Sequence, residues 1–232
     1  MHEVLLSGPG KNALSTPMLR RLEEEIAKAA GRPILLHGDG DAFSAGLDLK
    51  EVASLDTDDK ALDYLDLLER VMAGYYTYEA PVVACVNGHA IAGGCVLALC
   101  ADWRVAETSE RTKIGLNEVA LGVEFPPRTL EIVLARIPPI ARHRALLGAE
   151  LFDVEGALAA GLVDEVADDA YEAGVRKLHA LAALPRRAYL SAKRAVRPPL
   201  VGDEEQRRRL RAILGTWTST EVRARVRAVL AR

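Results

Sequence analysis

Apolar positions along the chain fall into helical stripes separated by short apolar runs. Leu19, Leu22, Ile26 and Ala30 recur at helical spacing behind Pro17, which predicts a helix over 17–30 that Gly31 ends. Leu62, Leu65, Leu68, Met72 and Tyr75 make a second stripe and predict a helix over 60–78. Short apolar runs at 4–6, 34–36, 81–86, 103–106 and 162–166 read as strands. Gly8-Pro9-Gly10, Gly38-Asp39-Gly40-Asp41 and Asn87-Gly88 mark turns. Gly93-Gly94 opens a buried helix over 95–101. Proline-led helices are expected at 127–136 and 139–147, and Asp153 reads as the N-cap of a short helix that Gly161 closes. Beyond 166 the pattern is helical, interrupted by Pro185 and by Pro198-Pro199. Strands alternating with helices and then helices alone predict an α/β core over 1–184 and a helical C-terminal region over 185–232.

Half of the 232 residues are hydrophobic and 27% are charged, which excludes a disordered or collagen-like chain. The length is enough to bury a core without disulfides or a structural metal. Aromatics are only 5%, which argues against single-strand nucleic-acid binding by base stacking. The net charge of −3 is unevenly spread: residues 185–232 carry thirteen Lys/Arg and four acids, +9, so the rest carries −12. A basic tail on an acidic body suits a phosphate-bearing ligand or the body of a neighbouring subunit, with a solvated helix face as the plainer alternative. Residues 80–101 hold no charge and have the length of a membrane span. Pro81, Asn87, Gly88, Gly93 and Gly94 break any continuous helix there, so a buried strand, a turn and a buried helix are expected. Cys85, Cys95 and Cys100 are odd in number and form no C-x-x-C pair, which predicts reduced thiols in a cytoplasmic setting. The first twelve residues have no basic segment followed by an apolar stretch, so no secretory leader is expected.

Two glycine-rich segments are candidates for chemistry: Phe43-Ser44-Ala45-Gly46-Leu47-Asp48, and the stretch from Gly88 to Cys95 before a buried helix. Small residues let a ligand approach the main chain, and two N–H groups from separate loops can hold one oxyanion. Gly-rich turns before helices are more often only turns. The P-loop, the dinucleotide-binding fingerprint and the G-x-S-x-G elbow are all missing from the sequence. Nor does any H-E-x-x-H or paired His/Cys spacing point to a metal. Glu118 stands among apolar residues, where a carboxylate has a raised pKa and can act as acid or base, or else simply caps a turn.

Taken in order, the segment 43–51, the segment from Ala80 to Cys95, Ala101-Asp102-Trp103-Arg104-Val105-Ala106, Ile114-Gly115-Leu116-Asn117-Glu118, and the stretch from Gly148 to Val166 resemble the crotonase superfamily, the enoyl-CoA hydratases and isomerases. The likeness runs from about Asn12 to Ala195, with a first hairpin shorter than in the family. It implies a ββα spiral core with a helical C-terminal trimerisation region, giving homotrimers or dimers of trimers. It also implies an acyl-CoA thioester substrate and no separate cofactor, coenzyme A being part of the substrate. By motif position the oxyanion donors are the amides of Leu47 and Gly93. Ala45, Gly46, Asp48, Lys50, Gly94 and Val96 lie along the substrate, with Lys50 near the coenzyme A adenine and phosphates.

Hydratases of this superfamily use two glutamates. One of those positions is Val96 here and the other is Glu118. Moving a double bond needs one base, so the resemblance favours an enoyl-CoA isomerase, with an enoyl-CoA hydratase as the alternative. A non-catalytic RNA- or thioester-binding relative is the further alternative. Glu124 is a possible second acid, His89 reads as a turn or core histidine, and Asp102 as a pin at a strand start. The segment 54–59 and the helix 60–78 are expected to line the acyl tunnel.

Overall fold

The structure is a computed structural model and describes residues 1–231; Arg232 of the basic tail lies outside the described residues. Nine strands form two sheets: β1 (His2–Leu6), β2 (Ile34–Gly38), β3 (Ala42–Ser44), β4 (Val82–Val86), β5 (His89–Ile91), β6 (Trp103–Glu107), β7 (Ile114–Gly115), β8 (Leu151–Phe152) and β9 (Glu165–Ala167). The larger sheet has the order β1-β2-β4-β6-β9, and every pair in it is parallel. The smaller has the order β3-β5-β7-β8; only β8 runs antiparallel to its neighbour. The chain repeatedly places one strand in the large sheet, the next in the small sheet, and then a helix. That repetition is the expected ββα spiral.

The central large-sheet strands β2 and β4 are largely apolar because both faces are covered. Ile34, Leu36, Val82, Ala84 and Val86 face the main core, while Leu35, Val83, Cys85 and Val105 face Ala170, Ala173 and Leu178 of the Ala170–Ala182 helix. The four small-sheet strands fall where the sequence pattern predicts turns and loops. At two or three residues each they are too short to show an alternation.

The long helices follow their patterns, with small shifts set by capping. Ser15 caps Thr16–Ala29, so Pro17 falls second in its first turn, and Thr57 caps Asp58–Tyr76. Asp153 caps Val154–Ala159, accepting from the Gly156 amide at 2.7 Å. The expected helix over 139–147 is instead a 3-10 turn, Pro139–Ala141, followed by a wide π-type turn, His143–Leu147. The strand expected at 162–166 is displaced to Glu165–Ala167.

The C-terminal region comprises the helices Arg186–Val196, Asp203–Trp217 and Thr220–Leu230. Its composition is distinct, but its apolar side chains are not a separate core: Leu210, Leu214, Trp217, Val222 and Val226 join the cluster that holds Leu19 and Leu65. Two tail cations are buried. Lys193 Nζ donates to the Tyr78 and Ala80 carbonyls and to Asp102 at 2.9 Å, and Arg197 pairs with the other Asp102 oxygen at 2.7 Å. Asp102 also accepts from the Val82 amide at 2.8 Å, so it pins a strand start as expected. Burial pushes the Lys193 ammonium down to about 8, against the pull of Asp102. All three cysteines are free and buried, and burial raises each thiol to about 12. Among the described residues no helix is long and apolar enough to cross a membrane.

Candidate active site

Glu118 heads the one-turn helix Glu118–Leu121, which follows β7. The residue is 5% exposed. Burial pushes its carboxyl up to about 7, only partly offset by its own amide and that of Asn117. Among the described residues its Oε2 has no hydrogen-bond partner, and neither has Oδ1 of Asn117 beside it. Buried oxygens left unpaired are costly, and they mark a place where a reactant can complete the bonding.

Both residues line a narrow cavity of about 90 Å³. Ala45, Leu47 and Ala92 from the glycine-rich segments also line it, as do Trp217, Val226 and Val229 from the last two helices. Gly46 makes the approach of the two segments possible. Its φ is +90°, and a Cβ there would collide with the Ile91 carbonyl. The Leu14 amide holds the Gly46 carbonyl at 2.7 Å, which leaves the next amide, that of Leu47, turned away from the strand-like pairing. Neither the Leu47 nor the Gly93 amide donates to an acceptor among the described residues.

Ala92 has φ 49° and ψ −123°, a backbone conformation that costs a residue with a Cβ ~1–3 kcal/mol. Its amide is fixed on the Gly115 carbonyl at 2.8 Å, in the strand just before Glu118. This strained corner opens the Gly93–Cys100 helix, so the free Gly93 amide sits at the positive end of a helix dipole. The arrangement offers two free amides and one raised carboxyl beside a single apolar cavity. It can hold a developing oxyanion and move a proton next to it.

The sequence-predicted residues divide into two groups. Ala45, Leu47, Gly93 and Glu118 come together: a Cβ on Gly93 would lie 3.0 Å from Leu47 Cδ2. Beside Gly46, which lets the two segments meet, the remaining residues have the following surroundings. Asp48 caps the Leu49–Val52 helix, accepting from the Lys50 amide at 2.8 Å and the Glu51 amide at 3.2 Å. Lys50 is exposed. Gly94 packs directly on the Ser44 carbonyl, with no room for a side chain or a ligand between them. Val96 is fully buried in the main core and does not line the cavity. Glu124 is exposed, and its neighbour Val123 takes the cavity wall instead. His89 Nδ1 accepts from the Lys113 amide at 3.0 Å, a loop-holding role, and burial lowers its pKa.

Neither the segment 54–59 nor the helix 60–78, expected to line an acyl tunnel, lines this cavity. The buried stripe of Asp58–Tyr76 faces the main core, and its other side borders a separate charged groove with Arg20 and Glu23. The cavity wall includes Trp217, Val226 and Val229, which sequence reasoning missed. The one available signal was apolar spacing at 222, 226 and 229 in an arginine-rich helix. Among the described residues no group of three His, Cys, Asp or Glu side chains could hold a metal ion.

Residues 2–225 match the enoyl-CoA hydratase/isomerase family. A probable enoyl-CoA hydratase, EchA17, of Mycobacterium avium is 32% identical over 207 residues, 83% of this chain and 76% of that protein. The mitochondrial enoyl-CoA delta isomerase 1 of Mus musculus is 35% identical over 168 residues, 69% of this chain and 57% of that protein. The crystal structure of human mitochondrial delta3-delta2-enoyl-CoA isomerase superposes with a TM-score of 0.83 at 25% identity, covering 100% of this chain and 93% of that one. That of the enoyl-CoA hydratase EchA3 from Mycobacterium ulcerans gives 0.78 at 29% identity, covering 93% and 92%. With its spiral fold, paired free amides and buried carboxyl, the chain belongs to the enoyl-CoA hydratase/isomerase family.

Proposed function

We propose that this enzyme is an enoyl-CoA isomerase, moving the double bond of a 3-enoyl-CoA to give the trans-2-enoyl-CoA. The observation that carries the reading is the single carboxyl: Glu118 is the one acid among the described residues lining the cavity. The thioester carbonyl accepts from the Leu47 and Gly93 amides. Glu118 takes a proton from C2, and the amides hold the enolate oxygen. Each such donor is worth roughly 2.7–4 kcal/mol in a transition state. The protonated Glu118 then delivers the proton to C4. A carboxyl near 7 suits both halves of that exchange at neutral pH.

The second reading is an enoyl-CoA hydratase, favoured by relatives carrying that name. Hydration also needs a second group to orient water, and among the described residues Glu118 is the one acid that lines the cavity. Purified protein should be given 3-enoyl-CoA and trans-2-enoyl-CoA, with products identified by chromatography and mass. Conversion of the 3-enoyl to the trans-2-enoyl thioester, with little 3-hydroxyacyl-CoA, is expected. Formation of 3-hydroxyacyl-CoA as fast as isomerisation would put the hydratase in its place.

The same reading includes a homotrimer or a dimer of trimers in a cytoplasmic setting, with no cofactor beyond the coenzyme A of the substrate. Ile140, 92% exposed, and Leu147 stand bare on adjoining turns, which supports a covered surface there. Light scattering at micromolar concentration should give a multiple of three chains, and a monomer would overturn that part.

A further inference from the structure

Trp217 ends the Asp203–Trp217 helix and is only 1% exposed, among the largest fully buried side chains of the protein. Its indole N–H donates to the Glu124 carbonyl at 3.1 Å. The preceding residue, Thr216, accepts from the Glu124 amide at 3.5 Å. The indole is thus fastened to the loop that follows the Glu118 helix, and Val123 of that loop lines the same cavity. Swinging the indole aside would break this bond and leave a buried N–H unpaired.

The cavity is small. Its volume of about 90 Å³ includes the space beside Leu47 and Glu118 and ends against Trp217, Val226 and Val229. Ligand pockets commonly measure ~300–1,000 Å³. Against that range the cavity has room for a short acyl chain and not for a long one. A long chain has to displace the pinned indole or the Thr220–Leu230 helix, whose Val226 is fully buried.

We propose that Trp217 is a specificity-determining residue that restricts the enzyme to short acyl chains. This rests on the reading of the cavity as the acyl site of an enoyl-CoA enzyme. The test compares wild type, Trp217→Phe and Trp217→Ala in two measurements. One is kcat/KM on 3-enoyl-CoA of four, eight and twelve carbons. The other is calorimetric binding of butanoyl-, octanoyl- and dodecanoyl-CoA, which needs no turnover. Wild type should favour four over twelve carbons by about a hundredfold, and Trp217→Ala should bring eight carbons up by about tenfold, with Trp217→Phe between them. Equal use of four and twelve carbons by wild type, or an unchanged chain-length profile in a folded variant, would overturn the proposal. If Trp217→Ala does not fold, Trp217→Phe decides, since it keeps an aromatic filling of smaller size. Preferential binding of butanoyl-CoA without any enoyl-CoA turnover would leave the chain limit standing and remove the isomerase reading. Turnover that ignores chain length would do the reverse.

Discussion

The Cα of Gly46 faces the start of the Gly93–Cys100 helix so closely that a Cβ on it would lie 3.3 Å from the Gly93 amide nitrogen. Two segments nearly fifty residues apart in sequence therefore present their free amides to one spot. Gly46→Ala has to force these segments apart, because the Ile91 carbonyl and the Ala92 Cβ block the new methyl group and φ is +90°. Losing the alignment of one donor should lower kcat about 10²–10³-fold. Steady-state kinetics check this, with circular dichroism to show that the fold is kept.

Glu118→Gln keeps the shape of the side chain but cannot accept a proton. Turnover should fall by several orders of magnitude while acyl-CoA binding persists. In wild type the activity should rise as pH passes about 7, where the carboxyl becomes a base. Stability should change in the opposite sense. The folded carboxyl has its pKa raised from 4.5 to about 7, so folding favours the protonated form. Stability is unaffected below about 4.5, declines as pH rises to about 7, and is then constant at a cost of ~3 kcal/mol. Glu118→Gln removes that cost, so above pH 7 the variant should be the more stable protein. Urea denaturation of both at pH 5 and pH 8 measures the crossover.

Val96→Glu puts a carboxylate at the sequence position where the resemblance places a hydratase's second glutamate, but in the core rather than on the cavity. The dipole at the start of the Gly93–Cys100 helix favours a negative charge in its first turn. Val96 is fully buried, so the substitution should also destabilise the fold by several kcal/mol unless the new acid is protonated. Because position 96 does not line the cavity, the expected outcome is a lower isomerase rate and a lower melting temperature, with no 3-hydroxyacyl-CoA formed from a trans-2-enoyl-CoA. Side-by-side product analysis and a thermal scan check the two parts.

Asp102→Ala strips the shared partner from Lys193 and Arg197, both buried. Leaving buried cations uncompensated costs ~3–5 kcal/mol. The Arg186–Val196 helix that carries Lys193 should loosen first. Hydrogen exchange should show amides of that helix opening before those of the large sheet, and chemical denaturation should show the loss of stability.

The sequence by itself determined the elements that bury an apolar stripe or run. The large-sheet strands, the two long N-terminal helices and the Asp153 cap are all local, because each depends on neighbours within a turn or two. The sequence also singled out Glu118 and the two glycine-rich segments, because a lone acid among apolar residues and clustered glycines are local signals too. Tertiary structure alone decided the rest. The small-sheet strands have two or three residues and acquire their identity only from the partners they meet across the spiral. That Asp48 caps a helix and that Val96 packs in the core were decided there too, because the direction of a side chain depends on how its helix is seated. The cavity is lined by Trp217 and Val226, and not by the 60–78 stripe, for the same reason. A stripe shows that a face is buried, while the surface it is buried against is chosen by the packing of distant segments.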